Sequence, residues 1–293
     1  MKIDAHQHFW RYDAVEYPWI AAGSALERDW LPSDLAAVQG PLGFDGSIAV
    51  QARQSVEESE WLLGLAEADP RILGVVGWVD LRSERVGEEL ERLGRHPRWV
   101  GVRHVAQDEP DDRFLVGEDF VRGVSGLRER GLVYEILIYP RQLPAALELV
   151  GRLPEQAFVL DHAAKPCIRE GTMEPWASQM RELGRHTNVS CKVSGLVTEA
   201  DPRTWRPGEL RPYLDVVAEA FGPERLMFGS DWPVCLLAAG YERVVEVVEE
   251  FVATWDGRQR AALFGGNAAR VYGLASRGGP PDGGGVAAGG GEG

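Results

Sequence analysis

The chain has 293 residues, 44% of them hydrophobic, which is enough for one large core. Lys+Arg 31 against Asp+Glu 45 give a net charge of -14, a surface that repels phosphate backbones and anionic membrane and so argues against nucleic-acid and membrane partners. Three cysteines (Cys167, Cys191, Cys235) without a C-x-x-C pair argue against a disulfide framework, no leader-like basic stretch precedes the first apolar run, and no run nears the ~20 apolar residues of a membrane helix; a cytoplasmic protein is expected.

In chain order, apolar runs of strand length alternate with helical patterns. Strands are expected at 3–9, 46–52, 72–81, 100–106, 133–139, 158–163, 189–194 and 226–230, each rich in Val, Ile, Leu or Phe as strands buried on both faces are. Pro32-Ser33-Asp34 opens a short helix at 35–38. Ser55 and Glu58 form a capping box for a helix over 56–68. Further helices are expected at 86–93, 119–129, 143–153, 175–185, 207–221 and 241–254. This alternation predicts an α/β fold of parallel strands with right-handed crossovers. Eight strands point to a closed (β/α)8 TIM barrel, a single domain over 1–274, with its site at the C-terminal strand ends. An open sheet is the alternative, but no G-x-G-x-x-G follows the first strand. The aromatic segment 11–30 is too long for a plain connector and is expected to cap the barrel mouth. Residues 275–293 are Gly/Pro-rich with few apolar anchors, the composition of a disordered tail.

Polar residues gather at the expected strand ends. His6 and His8 lie two apart on the first strand, so both face one side, with Asp4 one step deeper. Two imidazoles ~7 Å apart along a strand can hold one metal ion or orient one substrate. The other strands end in Gln51-Ala52-Arg53, Trp78-Val79-Asp80, Arg103-His104, Tyr139-Pro140-Arg141, Asp161-His162 and Ser230-Asp231-Trp232. Each has a plainer reading: Asp231 as a helix N-cap, His104 as a hydrogen-bonded structural residue, Arg53 and Arg103 as rim ion pairs, the tryptophans as core. Lys192 is more telling, because a lysine in an apolar strand is costly unless it is paired or faces a polar cavity.

Asp4-Ala5-His6-Gln7-His8, Leu160-Asp161-His162, Phe228-Gly229-Ser230-Asp231-Trp232-Pro233 and the closing Gly266-Asn267-Ala268-Ala269-Arg270-Val271-Tyr272-Gly273-Leu274 resemble the amidohydrolase superfamily. Tyr17-Pro18-Trp19-Ile20, Val50-Gln51-Ala52-Arg53-Gln54, Gly101-Val102-Arg103-His104-Val105 and Cys191-Lys192-Val193-Ser194-Gly195-Leu196 resemble its branch of sugar-lactone lactonases, of L-fucono-1,5-lactonase and L-rhamnonolactonase type. The resemblance implies a barrel with His6 and His8 on strand one, His162 on strand six and Asp231 on strand eight. It implies hydrolysis of a sugar lactone, with Asp231 as general base and His162, His6 and His8 as carbonyl-polarising groups. Arg53, Arg103, His104, Tyr139, Trp78, Trp232 and Lys192 are the substrate-binding candidates. Fuller metal sites of the superfamily carry a histidine on strand five and a bridging group on strand four, and this sequence has neither. That leaves one divalent, zinc-type ion on His6, His8 and Asp231, or hydrolysis without metal. A metal-dependent decarboxylase of an aromatic or enoic acid and an inactive sugar-acid-binding protein are the competing readings.

Overall fold

The computed structural model describes residues 1–275; the expected disordered tail lies outside the described residues, save Ala275. Eight strands form one parallel sheet in sequence order: β1 (Ile3–Gln7), β2 (Gly46–Val50), β3 (Ile72–Gly77), β4 (Trp99–His104), β5 (Val133–Ile136), β6 (Phe158–Leu160), β7 (Val189–Val193) and β8 (Leu226–Phe228). A parallel bridge between Gln7 and Trp232 closes the ring, with His8 N–H donating to the Trp232 carbonyl (2.7 Å) and Asp231 N–H to the His6 carbonyl (2.9 Å). The expected TIM barrel is therefore the fold. Several strands end earlier than their apolar runs. β5 stops at Ile136, and β6 stops at Leu160, where Asp161–Ala164 leave the ladder for a 3-10 turn that carries site residues.

The connecting helices are α1 (Pro32–Gln39), α2 (Val56–Ala68), α3 (Val86–Gly94), α4 (Glu118–Ser125), α5 (Leu143–Arg152), α6 (Trp176–Leu183), α7 (Leu196–Glu199), α8 (Pro207–Phe221), α9 (Tyr241–Phe251), α10 (Gly257–Ala261) and α11 (Asn267–Val271). Ser55 caps α2, accepting from Glu58 N–H at 3.1 Å. The capping box stays half-made: the Glu58 carboxylate instead accepts from Ala52 N–H (2.9 Å), Arg53 N–H (3.0 Å) and Tyr17 O–H (3.0 Å). It thereby pins segment 11–30 to the end of β2, and Val15, Glu16, Pro18 and Trp19 of that segment line the barrel mouth.

Inside the barrel, Ile3, Ala5, Ile48, Val50, Val76, Val100, Val133, Val159 and Met227 form an apolar layer, closed by Ala268, Tyr272 and Leu274 from the C-terminal segment. A second, larger core lies between strands and helices. No helix among the described residues is long and apolar enough to cross a membrane. All three cysteines are free thiols.

Candidate active site

Above the apolar layer the barrel interior turns charged. Glu135 follows Val133, and Asp161 follows Val159, two residues further along the same strand line. Lys192 Nζ pairs with Glu135 (2.6 Å) and Asp161 (3.0 Å); Arg103 pairs with Asp161 (3.0 Å) and donates to the Gln51 carbonyl; Tyr272 O–H donates to Glu135. Two cations and two carboxylates thus balance each other where a lone charge would be prohibitive. Burial, with the Asp161 charge, pushes Glu135 up to about 7 against the pull of Lys192. Burial also opposes ionisation of Asp161, but Lys192, His6 and Arg103 hold it well below the usual carboxylate range.

His6 stands on this layer. A bulge between Asp4 and Gln7 in the β1–β2 register brings Ala5 and His6 inward in succession. For the same reason Asp4 is not beneath the histidines, as strict alternation had implied. It faces the helical layer, accepting from Ser230 O–H (2.6 Å), Tyr241 O–H (3.1 Å) and Gln39 (3.3 Å). Gly229 is required beside His6, since a Cβ there would lie 2.7 Å from the His6 Cβ. Burial, reinforced by the Lys192 ammonium, pushes His6 well below the usual imidazole range, so it is neutral at pH 7.

His162 reaches the site through a strained turn. Residues 162–165 all have left-handed φ (52°, 50°, 57°, 49°), and Asp231 shares this (57°). Such conformations cost roughly 1–2 kcal/mol per residue and persist only where surroundings enforce them. Lys165 N–H to the His162 carbonyl (2.8 Å) and Trp176 Nε1–H to the Ala163 carbonyl (2.8 Å) provide the enforcement. His162 Nδ1 meets Ser194 Oγ at 2.9 Å. The neighbouring Gly195, itself at φ 67°, has no room for a Cβ, which would fall 2.6 Å from that nitrogen. Burial pushes His162 down to about 4.

Asp231 faces all three imidazoles: His8 Nε2 at 3.3 Å, His6 Nε2 at 3.7 Å and His162 Nε2 at 3.9 Å. Burial would raise its carboxyl, but the surrounding imidazoles, His162 foremost, hold it well below the usual range, so it is ionised. His8 donates Nδ1–H to the Val50 carbonyl (2.8 Å), its only possible role toward a carbonyl, which leaves the Nε2 lone pair facing Asp231. Two lone-pair atoms at 3.3 Å call for a proton or a cation between them. His6 and His8 Nε2 are 3.2 Å apart. A tetrahedral ion with bonds of ~2.1 Å spaces its ligands ~3.4 Å apart, so His6, His8 and Asp231 have the spacing for one such ion. His6 decides the matter. Its Nδ1 lies 3.4 Å from Asp161, which as acceptor would free Nε2 for an ion, and 3.0 Å from Lys192, which as donor would put the proton on Nε2. As expected, strand five brings no histidine; it brings Glu135, which is committed to Lys192 and Tyr272.

The site opens into a cavity of about 650 Å³ lined by His8, Arg53, Arg103, His162, Lys165 and Asp231, with Trp19 at its mouth. Arg53 sits at the rim, ion-paired with Glu16. Other expected substrate contacts lie elsewhere. His104 alternates with Arg103 and so points to the opposite face, against Trp78 Nε1 (3.2 Å), Glu109 (2.7 Å) and the stacked Phe114 ring (4.7 Å). Trp78 is held by that same bond, and Trp232 is buried against Trp30 (5.0 Å) and Phe9 (6.3 Å). Lys192 lies beneath the cavity, not on its wall. Tyr139 lines an adjoining cavity of about 530 Å³. Asp161, Ser194 and Lys165, seen at or near strand ends but given no role, and Glu135, not singled out, all belong to the site or its support. Glu135 carried the same signal as Lys192, a charge within an apolar strand.

Comparison with known proteins agrees with this geometry. The family described as Amidohydrolase matches residues 3–274. An L-fucono-1,5-lactonase of Burkholderia multivorans is 45% identical over 94% of this chain and 96% of its own length, and one of Burkholderia ambifaria is 37% identical over 92% and 95%. A crystal structure of an amidohydrolase from Burkholderia multivorans with bound zinc superposes with a TM-score of 0.90 at 46% identity, covering 94% of this chain and 99% of that one. The matched span takes in the whole barrel with its histidine pair, His162 and Asp231, and the chain belongs to the amidohydrolase family.

Proposed function

We propose that the chain is a lactonase that hydrolyses a sugar lactone, of the L-fucono-1,5-lactone kind, to the sugar acid. The observation that carries the reading is the ionised Asp231 carboxylate among three buried imidazoles at the floor of a cavity large enough for one sugar. The likeness to two L-fucono-1,5-lactonases over nearly the whole chain supports the substrate class.

Ester hydrolysis needs a water made nucleophilic and a carbonyl oxygen stabilised as it becomes an oxyanion. Asp231 takes a proton from the attacking water. The water oxygen bonds to the carbonyl carbon, the bond to the ring oxygen breaks, and that oxygen takes up a proton as the ring opens. His162 stabilises the oxyanion through Nε2–H in the tautomer whose Nδ1 accepts from Ser194 O–H. Arg103 adds a buried cation whose Nε–H has no acceptor among the described residues. Arg53 and Trp19 at the mouth meet the hydroxyls and C–H face of the ring. If zinc binds, His6, His8 and Asp231 would hold it, and it would supply further polarisation of the carbonyl.

A pH-indicator screen of aldonolactones, L-fucono- and L-rhamnonolactones included, with and without chelator, tests the reading. One proton released per lactone supports it. Inert lactones, with an aromatic or enoic acid converted to carbon dioxide, would establish the decarboxylase; tight aldonate binding without turnover would establish a binding protein.

A further inference from the structure

The catalytic cavity and its neighbour share one side chain, Lys165. The neighbour is lined by Tyr139, Arg141, Lys165, Arg169 and Glu199, among others. Arg141 is engaged by Asp112 (2.7 Å) and the Gln107 carbonyl (2.8 Å). In the catalytic cavity Arg53 is engaged by Glu16 and Arg103 by Asp161. Arg169 donates to the Ala200 carbonyl (3.4 Å) and lines only the neighbour. Lys165 lines both: among the described residues no carboxylate lies within ion-pair distance of it, and its ammonium rests 5.4 Å from the centre of the Tyr139 ring. Its left-handed backbone, fixed by the bond to the His162 carbonyl, sets the stem of this side chain at the junction of the two cavities.

Ring opening changes the charge of the ligand. A neutral lactone and a water become a hydroxy-carboxylate and a proton: the acyl carbon gains the water oxygen, the ring oxygen gains a hydrogen, and one proton leaves. The new carboxylate forms beside the ionised Asp231, which repels it. We propose that Lys165 is the counter-ion for this carboxylate, and that the adjoining cavity over Tyr139 is an aldonate-binding site through which the product leaves. A compact, strongly hydrated ammonium on a flexible stem suits a transient partner better than a bidentate arginine. Burial raises the Glu199 carboxyl in the same wall, which lessens the negative charge an aldonate would meet there. The proposal rests on the lactonase reading for the origin of its ligand.

Binding and inhibition test it. Calorimetry with sodium L-fuconate, and with L-fucitol as its uncharged analogue, is run on the wild-type protein, Lys165→Met and Lys165→Arg, with melting temperatures as the fold check. Wild type should bind fuconate more tightly than fucitol. K165M should lose roughly ten-fold or more in fuconate affinity, as a charge-assisted contact is removed, and K165R should recover part of it. Product inhibition of lactone turnover should weaken in parallel in K165M. Equal fuconate affinity in folded K165M and wild type, or fuconate bound no better than fucitol, overturns the proposal. The lactonase reading fails separately: it falls if wild type turns over no lactone, whatever Lys165 contributes to fuconate binding.

Discussion

The two layers inside the barrel are built on the same strands and behave oppositely. The lower layer, with Ile48, Val50, Val76, Val133 and Val159, is apolar and satisfied by packing alone. Two residues further along, the same strands carry Glu135 and Asp161 into contact with Lys192, Arg103 and His6. Buried ion pairs of this kind rarely add stability over well-packed apolar groups. The lower layer therefore holds the fold, and the upper layer holds His6 and the site in place at a cost to it. Left-handed backbone at 162–165 and Asp231 lies on the same costly side.

The comparison is broken most sharply by Asp231→Asn. It should lower kcat by ~10²–10⁴ with the melting temperature little changed, because the substitution removes the proposed base and not a packing group. Steady-state kinetics on the folded variant checks it. Next is Lys192→Met, which strands Glu135 and Asp161 without their shared cation. It should destabilise by about 3–5 kcal/mol in urea unfolding, and adding Glu135→Gln should recover part of the loss. An unaffected midpoint would show that the charged layer is not a unit.

Glu58, at the mouth, gives a pH handle outside both layers. Burial raises its carboxyl to about 7 from the usual 4.5, against the pull of its N–H and Tyr17 donors. The folded state thus holds a proton that the unfolded chain releases above pH 4.5. The stabilisation is complete below pH 4.5 and is lost as pH rises through 7, by about 3 kcal/mol at most. Wild type should lose melting temperature between about pH 5 and 8 relative to Glu58→Gln; parallel curves would contradict this. The smallest effect belongs to the apolar layer. Ile48→Val should cost about 0.5–1.5 kcal/mol and leave kcat unchanged.

The barrel was legible because eight doubly buried strands must read as apolar runs, and periodicity finds those directly. The histidine pair, His162 and Asp231 were legible from strand ends and resemblance. The bulge in β1 was not: it moves Asp4 away from the histidines without any glycine or proline to mark it. His104 and Arg103 were both expected as substrate contacts, although adjacent strand residues face opposite sides and Arg103 takes the inward one. Lys165 was visible just beyond the sixth strand end but was given no role, because its place depends on a left-handed turn that no local residue type announces. Trp232 shows the limit of composition, since a strand-end tryptophan reads the same whether it covers a ligand or, as here, packs on Trp30.

The central claim is that Asp231 activates water and does not itself attack the lactone. Single-turnover hydrolysis of L-fucono-1,5-lactone with enzyme in excess, in oxygen-18-labelled water, tests this by mass spectrometry of both product and protein. Direct water attack places one label in the carboxylate of the released sugar acid and none in the protein. Unlabelled sugar acid together with a labelled peptide spanning Asp231 would contradict the account.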